Sequence, residues 1–310
     1  MAGPAAKRAR RSVQTSGGLV CIVGSCNYDQ TVYMPPGEKI PGAGLTVFGS
    51  HYAEGFGGKG ANQAAMAALL RASTSIVGAV GDDSIGERTR RNFESLGIMV
   101  GGAGENVIVV VPGANLQLSE ADVAAANETI QGCKVLLLQN EILPAVSLAA
   151  MRLARAGPEG SRPIIILNAA PAPKIGAHAD RGEWEGFREH LEACDILCVN
   201  ESEAEAMSGI NIVDGSGIGS RPAETGLGDG LINAATEAGK ELQKMGAKKV
   251  LITLGEAGAM LLSGPGPDPA VEPFMMIWSP AKSCSEVQDT SGAGDAFLGA
   301  LAAFVVNSKP

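Results

Sequence analysis

The chain has 310 residues and a net charge of −9, and 45% of its residues are hydrophobic, 18% charged and 4% aromatic. This length suits one large α/β domain or two small ones. The acidic balance and the scarcity of aromatic side chains argue against general binding to nucleic acid or to anionic membranes. We therefore expect neither nucleic acid nor a membrane among the partners.

Residues 1–18 differ from the rest because they carry Lys7, Arg8, Arg10 and Arg11 and no acidic residue. We interpret them as a disordered basic tail, with a nuclear address and an organelle transit peptide as the alternatives. None of the six cysteines forms a CxxC pair, which predicts reduced, buried thiols. These features indicate a cytoplasmic protein, and the tail adds the nucleus as a second location.

Apolar runs alternate with helix-like stretches through most of the chain. Predicted strands occupy residues 19–25, 74–81, 106–113, 134–141, 162–168, 194–201 and 248–255, and 258–264 is expected to pair with the last of them. Predicted helices occupy residues 61–72, 84–97, 119–130, 143–157 and 231–247. Continuous Val, Ile and Leu strands that alternate with helices predict a mainly parallel sheet with helices on both faces.

Two segments depart from this alternation. Residues 27–54 combine Thr, Val, Tyr and Phe with Pro and Gly, which predicts β-strands that stand off the main sheet. Residues 209–230 are rich in glycine and polar residues and predict a surface loop. Because ligands bind beyond the carboxyl ends of parallel strands, the polar residues at those ends predict a site. These residues are Asn27, Glu141, Asn168, Asn200, Thr253 and Gly255.

Three glycine-rich segments have the composition of ligand-binding turns. "GFGGKGANQ" (55–63) is not a Walker loop, because Ala53 and Gly60 replace the required glycine and hydroxyl residue. It can still present backbone amides and Asn62 to a polar ligand, and a plain strand-to-helix turn is the alternative. "TLGEAG" (253–258) fits either a hairpin turn or a close approach of a ligand to the backbone.

"DTSGAGDAF" (289–297) is the most informative of the three. Its glycines precede a helix-like run that starts at Asp295, and free amides at a helix N-terminus bind anions. Amides that hold negative charge beside a carboxylate that takes a proton suit phosphoryl transfer to an alcohol. The alternative is an acidic residue that only stabilises the helix. Phe297 stands where a dinucleotide fingerprint requires glycine, which argues against a dehydrogenase.

Five motifs occur in an order and spacing that resemble the pfkB family of ribokinase-like carbohydrate kinases. They are "GSCNYD" (24–29), "GFGGKGANQA" (55–64), "NESEAE" (200–205), "TLGEAG" (253–258) and "DTSGAGDAF" (289–297). The resemblance covers about residues 19–306. It implies a three-layer α/β/α fold with a mainly parallel central sheet and a small β-sheet lid, whose strands lie within 27–54. Residues 19–310 would form this kinase domain.

The resemblance implies ATP-dependent phosphorylation of D-ribose at its 5-hydroxyl to give D-ribose 5-phosphate. Asp295 would take the hydroxyl proton and contact the sugar. The amides of Gly292, Ala293 and Gly294 would form an anion hole. The other residues implied in sugar binding are Asn27, Asp29, Gly58, Lys59, Asn62 and Glu141.

The same resemblance implies ATP, Mg²⁺ and K⁺ as cofactors. Glu203 would organise magnesium through water. Asp289 and the carbonyl of Ser291 would join a potassium site outside the reaction centre. The residues implied at the nucleotide are Asn200, Thr253, Gly255, Gly258 and Gly294.

Two departures from the family pattern are visible. The segment "GIMVGGAGENVIVVVPG" (97–113) passes directly from the helix at 84–97 to the next strand. This predicts a shortened lid and a weakened homodimer, if dimers form through the lid. The chain also ends at Pro310, soon after the helix that begins at Asp295, which predicts a C-terminal truncation.

Two alternative functions follow from these observations. The first is a sister kinase of the same family that acts on another sugar or on a nucleoside. The second is a catalytically impaired isoform that acts as a binding or partner protein.

Overall fold

The computed structural model describes residues 19–35, 47–101, 114–173, 181–212, 229–264, 274–282 and 290–308. Several sequence predictions fall outside these ranges. They are the basic tail at 1–18, the strand at 106–113, most of the loop at 209–230, and Asp289.

Eleven strands and nine α-helices form within the described ranges. The strands are β1 (Leu19–Val23), β2 (Asn27–Tyr33), β3 (His51–Gly57), β4 (Ser73–Val77), β5 (Met99–Gly101), β6 (Val135–Gln139), β7 (Ile164–Asn168), β8 (Ile196–Asn200), β9 (Lys249–Thr253), β10 (Ala259–Ser263) and β11 (Met275–Ser279). The helices are α1 (Lys59–Leu69), α2 (Ser84–Ser95), α3 (Glu120–Ala125), α4 (Asn127–Gly132), α5 (Pro144–Arg155), α6 (Arg181–Ala193), α7 (Glu201–Ser208), α8 (Asp229–Lys244) and α9 (Ala293–Asn307). None of these helices is long and apolar enough to cross a membrane.

Nine of the strands form one sheet in the order β11-β10-β9-β8-β7-β6-β1-β4-β5. Every neighbouring pair from β5 to β9 is parallel, whereas β10 runs antiparallel to both β9 and β11. At the centre of the sheet, Ile22 of β1 pairs with Ile76 of β4 and with Leu137 of β6. The predicted parallel sheet is confirmed, and so is the pairing of 258–264 with the strand before it.

Helices cover both faces of this sheet. On one face, Leu136 and Leu138 pack with residues of α3 to α8. On the other face, Ile22 and Leu137 pack with residues of α1, α2 and α9. All five residues of β6 are buried, as a strand between two helical layers requires. The three-layer α/β/α fold predicted from the sequence is therefore confirmed.

Strands β2 and β3 form a separate two-stranded antiparallel sheet. The small sheet predicted within 27–54 is thus confirmed, although its second strand continues to Gly57. Tyr28 is buried, and its ring meets that of its cross-strand partner Phe56 edge to face, with 5.6 Å between the ring centroids. The shortening of the lid stays a prediction, because residues 102–113 lie outside the described ranges.

Five differences from the sequence predictions are visible. The helix predicted at 119–130 is divided at Ala126 into α3 and α4. The other four elements, β5, α6, α7 and β11, were not predicted. Strand β11 is an antiparallel edge strand whose residues are mostly exposed, so it lacks the continuous buried run that identifies the central strands. Helix α6 follows a glycine- and proline-containing stretch and has a predominantly polar sequence.

Helices α1 and α9 pack closely against each other beside β1 and β6. Among the glycines of α1 and α9, Gly299 of α9 lies closest to the opposite helix. A Cβ at this position would lie 2.5 Å from the Gln63 carbonyl oxygen and 2.8 Å from the Met66 Cβ. The glycine therefore sets the spacing of the two helices.

We expect Gly299→Ala to lower the free energy of unfolding. Overpacking costs about 1–3 kcal/mol, which exceeds the gain of up to about 1 kcal/mol that alanine brings to a helix. The matched control is Gly230→Ala in α8, where an added Cβ meets nothing within 4 Å. Urea unfolding should show a loss for the first variant and none for the second; equal effects would contradict this account of the packing.

Candidate functional site

A polar cleft of about 130 Å³ opens beyond the carboxyl ends of β7, β8 and β9 and beside the N-termini of α1 and α9. Its position is that expected for a ligand site of a parallel α/β sheet. The structure brings together here many of the residues singled out in the sequence. The lining includes Lys59, Asn168, Asn200, Glu203, Thr253, Thr290, Gly292, Ala293, Gly294 and Asp295.

Asp295 lies in the first turn of α9 and is only 4% exposed. Two side-chain amides of α1 hold its carboxylate. Asn62 Nδ2 donates to Oδ2 and Gln63 Nε2 donates to Oδ1, each at 3.1 Å. The N-terminus of α9 therefore presents a buried carboxylate with a fixed orientation.

The environment raises the pKa of Asp295 above the ordinary value of an aspartic acid. Burial is the main cause, because it disfavours the charged form. The hydrogen bonds from Asn62 and Gln63 and the charge of Lys59 oppose that shift, while Glu141 adds to it. The result is a carboxylate that accepts a proton more readily than one exposed to water.

The turn before α9 is built on Gly292, whose φ of 73° lies in the left-handed region that favours glycine. This conformation directs the chain into the helix. The first amides of a helix have no acceptor within it, so they favour an anion. Within the predicted anion hole, however, the Ala293 N–H donates to the Thr290 carbonyl at 3.1 Å and is engaged in the turn.

Asn27 and Asp29 lie on β2 next to the N-terminus of α1. The Asn27 Oδ1 accepts a hydrogen bond of 2.7 Å from Asn115 Nδ2, and the Cys26 N–H donates to Asn115 Oδ1 at 2.9 Å. Gly58 has a φ of 89°, and a Cβ there would lie 2.7 Å from the Asn27 nitrogen. The turn into α1 thus packs directly on the strand that carries Asn27.

Glu141 contacts the N-terminus of α1. Its Oε2 accepts hydrogen bonds from Ser25 Oγ at 2.6 Å and from the Lys59 N–H at 2.9 Å. The Lys59 Nζ lies 4.0 Å from the other carboxylate oxygen. Ser25 in turn accepts a hydrogen bond of 3.2 Å from the Gly60 N–H. Glu141 therefore fixes the start of the helix that carries Asn62, and it does not itself line the cleft.

Asn200 and Glu203 form a capping box at the start of α7. The Asn200 Oδ1 accepts from the Glu203 N–H at 2.8 Å, and the Glu203 Oε2 accepts from the Asn200 N–H at 2.9 Å. Burial raises the pKa of Glu203, against the lowering effects of the Asn200 N–H and of Lys59. A partly buried carboxylate in an oxygen-rich cleft is suited to lie near a hard cation.

The remaining predicted residues are placed differently. Thr253 lines the cleft, whereas Gly255 and Gly258 lie outside its lining as the described residues define it. A Cβ at Gly258 would lie 2.0 Å from the Ser279 carbonyl, so that glycine accommodates the end of β11. Ser291 is exposed in the turn before α9. Within the described ranges no group of three His, Cys, Asp or Glu residues is arranged to hold a metal ion.

Four residues of this site were missed in the sequence. Ser25 and Asn115 orient Glu141 and Asn27, and Gln63 and Gln139 lie behind Asp295. Gln63 ends the quoted segment 55–63, and Gln139 ends the buried strand β6, so both carried a local signal. Their mutual contact, across 76 positions, carried none.

The chain matches the family described as pfkB family carbohydrate kinase over residues 18–102 and 97–310. It is 34% identical over 304 residues to the ribokinase of Mus musculus, and the alignment covers 92% of this chain and 81% of that protein. This chain belongs to the pfkB family of carbohydrate kinases.

Solved structures agree with this membership of the kinase family. The ribokinase of Giardia lamblia superposes with a TM-score of 0.69 at 27% identity, covering 93% of this chain and 84% of that one. The ribokinase of Arabidopsis thaliana, solved in complex with ribose and ATP, superposes with a TM-score of 0.65 at 25% identity, covering 94% and 87%.

We expect Asn200→Ala in this kinase to weaken nucleotide binding as well as the fold. The change removes the cap of α7 and releases Glu203 at the cleft, and loss of such a cap costs about 0.5–2 kcal/mol. Ser119→Ala is the matched control, because Ser119 forms a capping box with Asp122 at the start of α3. Calorimetric titration with ATP should show weaker binding for the first variant alone. Unchanged ATP affinity in Asn200→Ala would contradict the expectation that Asn200 lies at the nucleotide.

Proposed function

We propose that this kinase transfers the γ-phosphoryl group of ATP to the 5-hydroxyl of D-ribose, giving ADP and D-ribose 5-phosphate. One observation carries the proposal: a buried carboxylate, Asp295, is held by two amides in a polar cleft at the N-terminus of α9. The similarity to proteins named ribokinase supports ribose as the acceptor.

In the proposed reaction, the 5-hydroxyl oxygen forms a bond to the γ-phosphorus. The bond from that phosphorus to the β–γ bridging oxygen breaks, and ADP leaves with its electron pair. The hydroxyl proton passes to Asp295, whose raised pKa suits it as a general base. The N-terminus of α9, with Gly292, Ala293 and Gly294, faces the negative charge of the transferred group.

The sugar would bind between β2 and the N-terminus of α1. Amides and carboxylates suit a polyol, because each hydroxyl both donates and accepts hydrogen bonds. Because the Asn27 Oδ1 already accepts from Asn115, Asn27 would offer its amide protons to the sugar. The residues proposed for sugar binding are Asn27, Asp29, Gly58, Lys59, Asn62, Glu141 and Asp295.

The nucleotide would lie beyond β8 and β9. We assign its contacts to Asn200, Thr253, Gly255, Gly258 and Gly294. The oxygens of Asn200, Glu203 and Thr253 in one cleft fit a magnesium ion that arrives with the phosphates and keeps several waters. When bound, that ion neutralises charge on the phosphate oxygens. Glu203 would orient its water ligands.

Further parts of the proposal concern potassium and the organisation of the chain. Asp289 and the Ser291 carbonyl would bind K⁺ beside the turn that precedes α9.

Residues 1–18 would be a basic tail and 19–310 one kinase domain. We propose a cytoplasmic protein with the nucleus as a second location, which the free thiols of the described cysteines support.

A homodimer through the small sheet is also proposed. Its strands β2 and β3 expose Val32, Tyr33, Tyr52 and Phe56, whose exposed fractions range from 38% to 60%. Clustered apolar side chains on an exposed sheet are typical of interaction surfaces.

Asp295→Asn should lower kcat about 10²–10⁴-fold, because an amide cannot take the hydroxyl proton. ADP release would be measured with D-ribose, MgATP and potassium. The control is Glu128→Gln, which alters an exposed carboxylate of α4 and should leave kcat unchanged. An Asp295→Asn enzyme with more than a tenth of normal kcat would exclude Asp295 as the base.

The kcat of the unaltered enzyme should fall as the pH is lowered through the pKa of Asp295. Only the ionised carboxylate accepts a proton, and burial raises its pKa, so the loss should begin above the ordinary aspartate value of about 3.9. A pH profile of kcat under saturating substrates tests this. A kcat that stays constant down to pH of about 4 would contradict the assignment.

Acceptor specificity should favour D-ribose over 2-deoxy-D-ribose, D-fructose and adenosine. Comparison of kcat/KM across these four compounds measures the preference, and phosphorus NMR of the product locates the phosphate on carbon 5. A clear preference for fructose or adenosine would replace ribose as the substrate while leaving the kinase assignment intact.

A further inference from the structure

Gln139 is the last residue of β6, and its side chain is completely buried behind the cleft. The amide lies against the backbone of Gly24, just beyond β1. A Cβ at Gly24 would lie 1.8 Å from the Gln139 Oε1 and 3.2 Å from the Gly60 Cα. The absence of a side chain at Gly24 therefore makes room for the Gln139 amide between the sheet and α1.

The Gln139 amide is the first member of a chain of hydrogen bonds that ends at Asp295. Gln139 Nε2 donates to Gln63 Oε1 at 2.7 Å, and Gln63 Nε2 donates to Asp295 Oδ1 at 3.1 Å. An ionised carboxylate only accepts hydrogen bonds, so Gln63 must turn its NH₂ group towards Asp295. Its oxygen then points to Gln139, which must donate.

The orientation of Gln139 leaves its own Oε1 without a hydrogen-bond partner in the part of the chain that the structure describes. A buried acceptor without a partner destabilises a fold. Packing alone therefore gives no reason for an amide at this position, since an apolar side chain of similar length would fill the same space. What the amide provides is a donor for Gln63.

We propose that Gln139 is a positioning residue: it holds the Gln63 amide in the one orientation that fixes Asp295 for proton transfer. Gln139 does not line the cleft and acts only through Gln63. The kinetic consequence rests on the proposed function, whereas the effect on Gln63 does not. Without the donor, the Gln63 oxygen loses its hydrogen bond from Gln139, and the Gln63 side chain is free to move its NH₂ group away from the Asp295 carboxylate.

Gln139→Met tests this with the least change of shape, because methionine is similar in length and cannot donate a hydrogen bond. We expect kcat to fall about tenfold, the effect of losing roughly one hydrogen bond, while the KM for ATP stays unchanged. Leu137→Met is the matched control. It lies two residues earlier on β6, faces the same helical layer and should keep its kcat.

A double-mutant cycle separates positioning from general structural damage. Gln63→Met should lower kcat by itself, and adding Gln139→Met to it should cause no further loss. If the two residues act independently, the fold-losses of kcat in the single variants multiply in the double variant. That result would overturn the proposal. So would a kcat of Gln139→Met equal to that of Leu137→Met.

A second readout does not depend on turnover. NMR spectra of protein labelled with nitrogen-15 at glutamine show the side-chain amides. The signal of the Gln63 amide is identified because it disappears in Gln63→Met. We expect faster hydrogen exchange of that amide in Gln139→Met and unchanged exchange in Leu137→Met. An unchanged Gln63 amide in Gln139→Met would overturn the proposal. If Gln63 responds as expected in a protein that does not phosphorylate ribose, the proposed function fails and the positioning role stands.

Discussion

The packing of α1 against α9 is the constraint on which the rest of the site depends. Asn62 and Gln63 come from one helix and Asp295 from the other, more than 230 positions later, and they meet through two hydrogen bonds. The parallel sheet makes this possible because both helices start near the carboxyl ends of its strands. Gly299 then lets the helices approach closely enough for the side chains to reach each other.

The chemistry of these contacts matters as much as their geometry. A guanidinium beside Asp295 would lower its pKa and weaken it as a base. Neutral amides orient the carboxylate with a smaller effect on its charge, and burial keeps its pKa raised. Glu203, in the same cleft, also has a raised pKa. The site thus brings buried and partly buried carboxylates together, which would suit the proposed reaction, in which the enzyme accepts a hydroxyl proton and binds a nucleotide with its cation.

The sequence predicted the fold well where local pattern determines structure. The continuous apolar runs of β1, β6 and β9 can only be buried in a sheet covered on both faces. Strand β11 was not predicted, because its mostly exposed residues form no continuous apolar run. The sequence singled out glycine-rich turns and strand ends as the region of the site, whereas Ser25, Gln63, Asn115 and Gln139 were missed. Their roles depend on partners far away in the chain, which no local pattern specifies.

We propose that Asp295 accepts the proton of the 5-hydroxyl of D-ribose. The most direct measurement is a crystal structure of the protein with D-ribose and a non-hydrolysable ATP analogue. We expect the 5-hydroxyl to lie within hydrogen-bond distance of an Asp295 carboxylate oxygen and in line with the γ-phosphorus. A ribose bound with another hydroxyl at Asp295, or with none near it, would contradict the account.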